Sequence, residues 1–146
     1  MDTQTYNLCI DLLYEGQLET LAETLAPHLK AGDKDARYLH LLFTTTESAV
    51  DFDIRRKREL EQLCELQHLN ALKDMAWMHR HGDDGVEQSD LKFLQLMTAA
   101  ALMGDDDALK AVKIYLAAQM EWDRFPLPPE NQTPPRDQSP SGIFID

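Results

Sequence analysis

Two histidines flank an arginine at His79-Arg80-His81, and two carboxylates follow at Asp83-Asp84. Imidazoles and carboxylates this close are the raw material of a metal site or an acid–base pair. The spacing argues against both. Two residues apart on a helix, the rings point to different sides. No Cys/His pair and no His-Glu-x-x-His spacing completes a ligand set. The group reads as packed or solvated histidines at a helix end. Cys9 and Cys64 have no adjacent His or basic residue in the sequence to stabilise a thiolate. No glycine-rich run is placed to cradle a phosphate. The residues therefore give no reason to expect an enzyme, a metal or a cofactor.

Charge narrows the partners instead. The 146 residues carry 26 Asp and Glu against 14 Lys and Arg, a formal net charge of −12, with a pI near 4.7. Such a chain is repelled by nucleic-acid phosphates and by anionic lipid surfaces. The partner expected is another protein, a basic one, with no nucleic acid and no membrane. Hydrophobic residues make up 43% of the chain, close to ordinary globular usage, so most of it should fold. Two cysteines, each inside an apolar helical pattern, suit a reducing compartment better than a disulfide framework. The first residues carry no basic run, and no apolar stretch approaches the roughly 18 residues of a membrane span. A cytoplasmic protein is expected.

Breakers are scarce over most of the chain. Of the 7 prolines, Pro27 alone precedes residue 125, and the composition is rich in Leu, Ala, Glu, Gln, Lys and Met, which favours helix. Apolar residues recur at steps of three and four, as in Tyr6, Cys9, Ile10, Leu13 and in Leu91, Leu94, Met97. The pattern predicts helices over 3–15, 17–31, 34–46, 53–66, 70–81, 88–103 and 106–121. Gly16, Gly32, Gly82, Gly85 and Gly104 fall at their ends, where C-terminal caps belong. From about Arg124 the run Phe125-Pro126-Leu127-Pro128-Pro129 cannot propagate a helix, and an extended Pro-rich tail over 124–146 is expected. Its last residues, Gly142-Ile143-Phe144-Ile145-Asp146, are unexpectedly apolar. They suit either packing back on the domain or binding a partner as a short peptide.

The chain also repeats itself. Gly32-Asp33-Lys34-Asp35-Ala36 and Gly104-Asp105-Asp106-Asp107-Ala108 are near copies, and Gln67-His68-Leu69-Asn70-Ala71 stands between them. Ala36, Ala71 and Ala108 are spaced by 35 and 37 residues, the period of a helix-turn-helix unit. The fullest unit runs from Ala71 through Met75-Ala76, His79 and Gly82, across Gly85-Val86 and Asp90, to Ala99-Ala100 and Gly104. It resembles the Sel1-like repeat, a relative of the tetratricopeptide repeat, with His79 where the family usually has Tyr. The likeness is specific in this unit and weak in its neighbours. Ala36, Ala71, Ala76, Ala99, Ala100 and Ala108 would let helices approach closely, and Gly82, Gly85 and Gly104 would make the turns. Asp90 is expected to cap or complement the helix it opens.

The resemblance implies an all-α fold: a short right-handed α-solenoid of about three degenerate helix-turn-helix repeats plus a capping helix over 1–123, with a disordered tail over 124–146. Solenoids offer surface more than catalytic cavities, so protein binding is the expected function. Acids concentrate in two regions. Residues 1–54 hold ten acids and three bases, and residues 74–107 hold eight acids and two bases. Between them Arg55-Arg56-Lys57-Arg58 reads as a solvated face pairing with Asp51, Asp53, Glu59 and Glu61. The candidate interface is Trp77 with Asp74, Asp83, Asp84, Glu87, Asp105, Asp106 and Asp107, the repeats bringing their acidic turns to one edge. Trp77 is expected at a position that need not face its own partner helix; core burial is the ordinary fate of a Trp, while an exposed one would be the natural interface anchor. Trp122 is expected to pin the last helix to the tail. A small, acidic repeat module suggests an immunity or antitoxin-type protein that neutralises a basic toxin; an adaptor or secretion chaperone for a client helix or peptide is the alternative.

Overall fold

A computed structural model describes the backbone over residues 1–124 and the side chains over residues 1–120. The tail expected beyond Arg124 and the side chain of Trp122 lie outside the described residues. Among the described residues every regular element is a helix: α1 Thr3–Tyr14, α2 Leu18–Lys30, α3 Lys34–Leu39, α4 Ala49–Glu65, α5 Leu69–His81, α6 Asp90–Leu102 and α7 Asp106–Arg124. None of them is long and apolar enough to cross a membrane.

Three junctions between these helices share one geometry. At Gly32, Gln67 and Gly104 the backbone turns left-handed, with φ of 75°, 57° and 95°. The next residue's amide then reaches back to the last turn of the finished helix: Asp33 to the His28 carbonyl, His68 to Leu63, Asp105 to Ala100. Each of these next residues also caps the helix it opens. Asp33 accepts from the Ala36 amide at 2.9 Å, the His68 Nδ1 from the Ala71 amide at 3.3 Å, and Asp105 from the Ala108 amide at 2.9 Å. The three alanines are fully buried. A turn, a cap and a small buried residue therefore recur with the sequence spacing. Gln67 fills a role glycine takes elsewhere, at a cost in backbone strain.

Two boundaries differ from the sequence pattern. The third helix ends at Leu39 rather than near 46, and the fourth begins at Ala49 rather than 53. Arg55 supplies the reason. Its guanidinium donates to the His40 carbonyl at 3.1 Å and the Phe43 carbonyl at 3.5 Å, and it holds the Glu47 carboxylate at 2.8 Å. These bonds fix residues 40–47 as a loop, and Ser48 then caps α4 by accepting from the Asp51 amide. The basic block is thus not uniformly a solvated face: Arg55 pairs with Glu47 and its own loop rather than with Asp51 or Asp53. Glu59 pairs with Arg37 at 3.0 Å. At α6 the capping side chain is Ser89, which accepts from the Lys92 amide, while Asp90 takes the complementing role in the first turn, where its carboxylate offsets the helix dipole.

The contacts divide the chain into two compact units, Met1–Met75 and Ala76–Asp146. In the first, α1 packs on α2 and α3, and α3 packs on α2 and α4. Cys9, Leu12, Leu21, Leu25, Ala36, Leu39 and Phe43 form its core cluster. Tyr38 is buried in the same unit, its ring stacked on His68 at 5.0 Å and its hydroxyl donating to Asp74 at 2.8 Å. In the second unit α6 packs along α7, with Phe93, Met97, Ala100 and Ala108 buried.

A charged side chain sits inside the second unit. Arg80 is 2% exposed; its Nη1 donates to Asp90 at 3.0 Å. Its guanidinium lies over the rings of Phe93 and Tyr115, at 5.8 and 6.0 Å. The Asp90 carboxylate and the two ring faces help replace the water that a buried guanidinium loses, and they tie α5, α6 and α7 together. Ala76 and Ala100 are buried, while Ala99 is half-buried.

Candidate interaction surface

The loop from Gly82 to Ser89, between α5 and α6, carries Asp83, Asp84 and Glu87, all exposed. It is held at several points. The amides of Gly82 and Asp83 both donate to the Met78 carbonyl, at 2.8 and 3.1 Å. The left-handed turn at Asp84 and Gly85 (φ 54° and 71°) follows, and Val86 tucks in as a buried peg. A side chain at Gly82 would place its Cβ 3.2 Å from that of Gln88, so the turn is tight as well as left-handed.

His79 closes the loop. Its Nδ1 lies 2.9 Å from the Glu87 carbonyl oxygen, which only accepts, so Nδ1 carries the proton and donates. The His79 carbonyl meanwhile accepts from the Ser89 amide at 2.8 Å. His81 is engaged elsewhere, stacked on Trp77 with ring centroids 5.8 Å apart and planes 13° apart. The two histidines thus point to different partners. Among the described residues no group of three or more His, Cys, Asp or Glu is arranged to hold a metal ion.

Trp77 faces its partner helix: its ring lies 5.1 Å from that of buried Phe93 on α6. It is nevertheless 37% exposed. The indole is seated on a rigid core residue, flanked by His81, and still presents surface. Four residues beyond Trp77, α5 ends and the acidic loop begins. Aromatic surface and carboxylates therefore sit at one end of this unit.

The remaining candidate acids are placed otherwise. Asp105 caps α7, and Asp106 and Asp107 occupy its first turn, where carboxylates offset the helix dipole. The 13 residues of α6 separate them from the Asp83–Glu87 loop, about 20 Å at 1.5 Å per residue. Asp83, Asp84 and Glu87 at one end of α6 and Asp105, Asp106 and Asp107 at the other do not make one patch. Asp74 belongs to the first unit, its carboxylate accepting the Tyr38 hydroxyl.

The first unit has its own polar depression, about 470 Å³, lined by residues of the α2–α3 and α4–α5 turns, including Asp33, Asp35, His68 and Asn70. An Asp35–His68 pair at 2.9 Å looks like an acid–base couple. Its chemistry is already committed, since Nδ1 accepts the Ala71 amide and Nε2 must then donate to Asp35. No ring nitrogen is left to take a proton from a substrate. Cys64 is similarly quiet. Burial, and then the Asp74 and Glu61 carboxylates, push its thiol up to about 12, and it donates to the Ala71 carbonyl at 3.2 Å.

Sequence reasoning missed His79 as the clasp of the loop and Arg80 as a buried node. The one available signal for Arg80 was the downstream Asp90, ten residues on, within reach once the chain reverses. The chain matches no protein-family model, no curated protein and no solved structure.

Proposed function

We propose that this chain is a protein-interaction module that binds a basic protein through the end of its second unit, with Trp77 as the anchor and Asp83, Asp84 and Glu87 as the charged rim. The observation carrying this reading is the seating of Trp77: backed by Phe93 and His81, its indole is rigid without being buried. Such an aromatic loses little freedom when a partner covers it. An Arg or Lys side chain is the natural complement, stacking on the indole face while the carboxylates steer its approach.

The finer reading is a repeat protein of Sel1-like type serving as an immunity or antitoxin-type inhibitor. Its support is the recurrence of one turn, cap and buried alanine at Ala36, Ala71 and Ala108, as a helical-repeat array requires, together with the −12 charge. We take the protein to be non-catalytic and to act in the cytoplasm.

The test is affinity capture from the native cell with the full chain, repeated at rising salt, with Trp77→Ala as the control bait. The expected result is one dominant basic protein, captured at low and moderate salt and lost with Trp77→Ala. Many weakly held clients would instead support the adaptor. No partner at any salt, or a partner indifferent to Trp77, contradicts the reading.

A further inference from the structure

We propose that the segment Gly142–Asp146 of this chain docks on an exposed apolar stripe of α7. The stripe consists of Leu109, Leu116 and Met120, which are 41%, 45% and 56% exposed. Spaced by seven and then four residues, they lie on one face of the helix. Three large apolar side chains in line along an exposed helix face are a surface that water disfavours and that a matching segment would cover.

Three features select the occupant. The first is composition. From Pro128 to Gly142 the sequence has no large apolar residue, and then Ile143, Phe144 and Ile145 follow in succession. The second is charge. Between Ala108 and Met120, α7 carries Lys110 and Lys113, both exposed, and no acid. Within a chain of net charge −12 these two lysines, set between Asp107 and Glu121 in the sequence, suit the carboxylate of Asp146 beside the three apolar residues. The third is reach. Residues 125–141 span up to about 50 Å when extended, against about 17 Å of helix from Leu109 to Met120. A tethered segment meets its site at an effective concentration in the millimolar range. Two copies of so acidic a chain repel each other, and a free peptide would bear the full entropic cost of association.

The docking is independent of the Trp77 surface, so either can fail alone. It is tested on the full chain by methyl NMR, comparing the native sequence with Ile143→Ser/Phe144→Ser/Ile145→Ser. The replacements are expected to shift the methyl resonances of Leu109, Leu116 and Met120 while leaving those of buried Met97 and Leu21 in place. Nuclear Overhauser contacts between Phe144 and these methyls are expected in the native chain and are expected to be lost on replacement. Leu116→Ser, an exposed change that leaves the core intact, should move the Phe144 ring resonances toward those of a detached segment. Spectra of the native chain should stay unchanged over about a hundredfold dilution, as intramolecular docking requires. Stripe resonances indifferent to the triple replacement would overturn the proposal. So would their movement on dilution, which would assign the stripe to a second copy.

Discussion

The ring of His79 donates from Nδ1 to the carbonyl oxygen of Glu87 across 2.9 Å, joining the last turn of α5 to the far side of the acidic loop. Because the His79 carbonyl also receives the Ser89 amide, one residue clasps the loop by side chain and backbone. The loop's carboxylates are thereby carried on a fixed frame, the condition under which charge adds to binding rather than being lost to ordering.

His79→Ala removes the side-chain half of that clasp. The expected loss of stability is about 1 kcal/mol, the net contribution of one hydrogen bond, measured by urea unfolding. Hydrogen exchange of the amides from Asp84 to Ser89 should quicken while the α6 amides beyond Phe93 keep their protection. Unchanged exchange in the loop would show that His79 does not hold it.

Gln67 stands left-handed, at φ 57°, where two equivalent junctions have glycine. Gln67→Gly should stabilise the protein by about 0.5–1 kcal/mol, the left-handed penalty of an L-residue exceeding glycine's entropic cost. Gly32→Ala and Gly104→Ala should each destabilise by about 1 kcal/mol. No atom lies within 4 Å of the added Cβ at either position, so the cost is one of backbone conformation alone. Urea unfolding of the three variants tests the equivalence of the junctions; opposite signs at Gln67 and the glycines are the expected outcome.

Arg80 and Asp90 form an ion pair whose arginine end is wholly buried. Asp90→Ala should cost about 3 kcal/mol, since it removes a carboxylate partner from a guanidinium buried in the core of α5, α6 and α7. Adding Arg80→Met should recover part of that loss, by replacing the buried charge with an apolar chain of similar length. A double variant no better than Asp90→Ala alone would mean that packing, not the buried charge, sets the cost.

Below neutral pH the 40–47 loop is expected to weaken. Burial, and then the Arg55 guanidinium, hold the His40 imidazole below its ordinary value. Its Nδ1 lies 3.2 Å from Arg55 Nη1, which can only donate. The unfolded chain therefore binds this proton more tightly than the folded one. The associated stability is present above about pH 6.5, the ordinary histidine value, and is lost as the pH falls through the lower folded value. His40→Asn, which can still accept from Arg55, should show a shallower fall in unfolding free energy between neutral pH and about pH 5 than the native chain.

Much of the helical framework was legible because it rests on local chemistry: few breakers, apolar residues at steps of three and four, and a turn-cap-alanine unit written three times. What escaped the sequence depends on contacts distant along the chain. The end of α3 at Leu39 is set by Arg55, which collects carbonyls up to fifteen residues away, and no local propensity reports that. Arg80 carries a charge and so reads as surface, yet Asp90, Phe93 and Tyr115 enclose it. The acids of the candidate interface were identified as types, but a set spanning both ends of α6 could not be one patch. The length of α6 itself, bounded by Ser89 and Asp105, held that information.

The central claim is that binding lies at the Trp77 end of the second unit and not at the start of α7. It is tested most directly by measuring the Kd of the captured partner for two charge-neutralised chains, Asp83→Asn/Asp84→Asn/Glu87→Gln and Asp106→Asn/Asp107→Asn. The account predicts a loss of about tenfold or more for the first, larger at low salt, and a change within about twofold for the second. Equal losses from the two ends of α6, or a loss confined to Asp106 and Asp107, would contradict it.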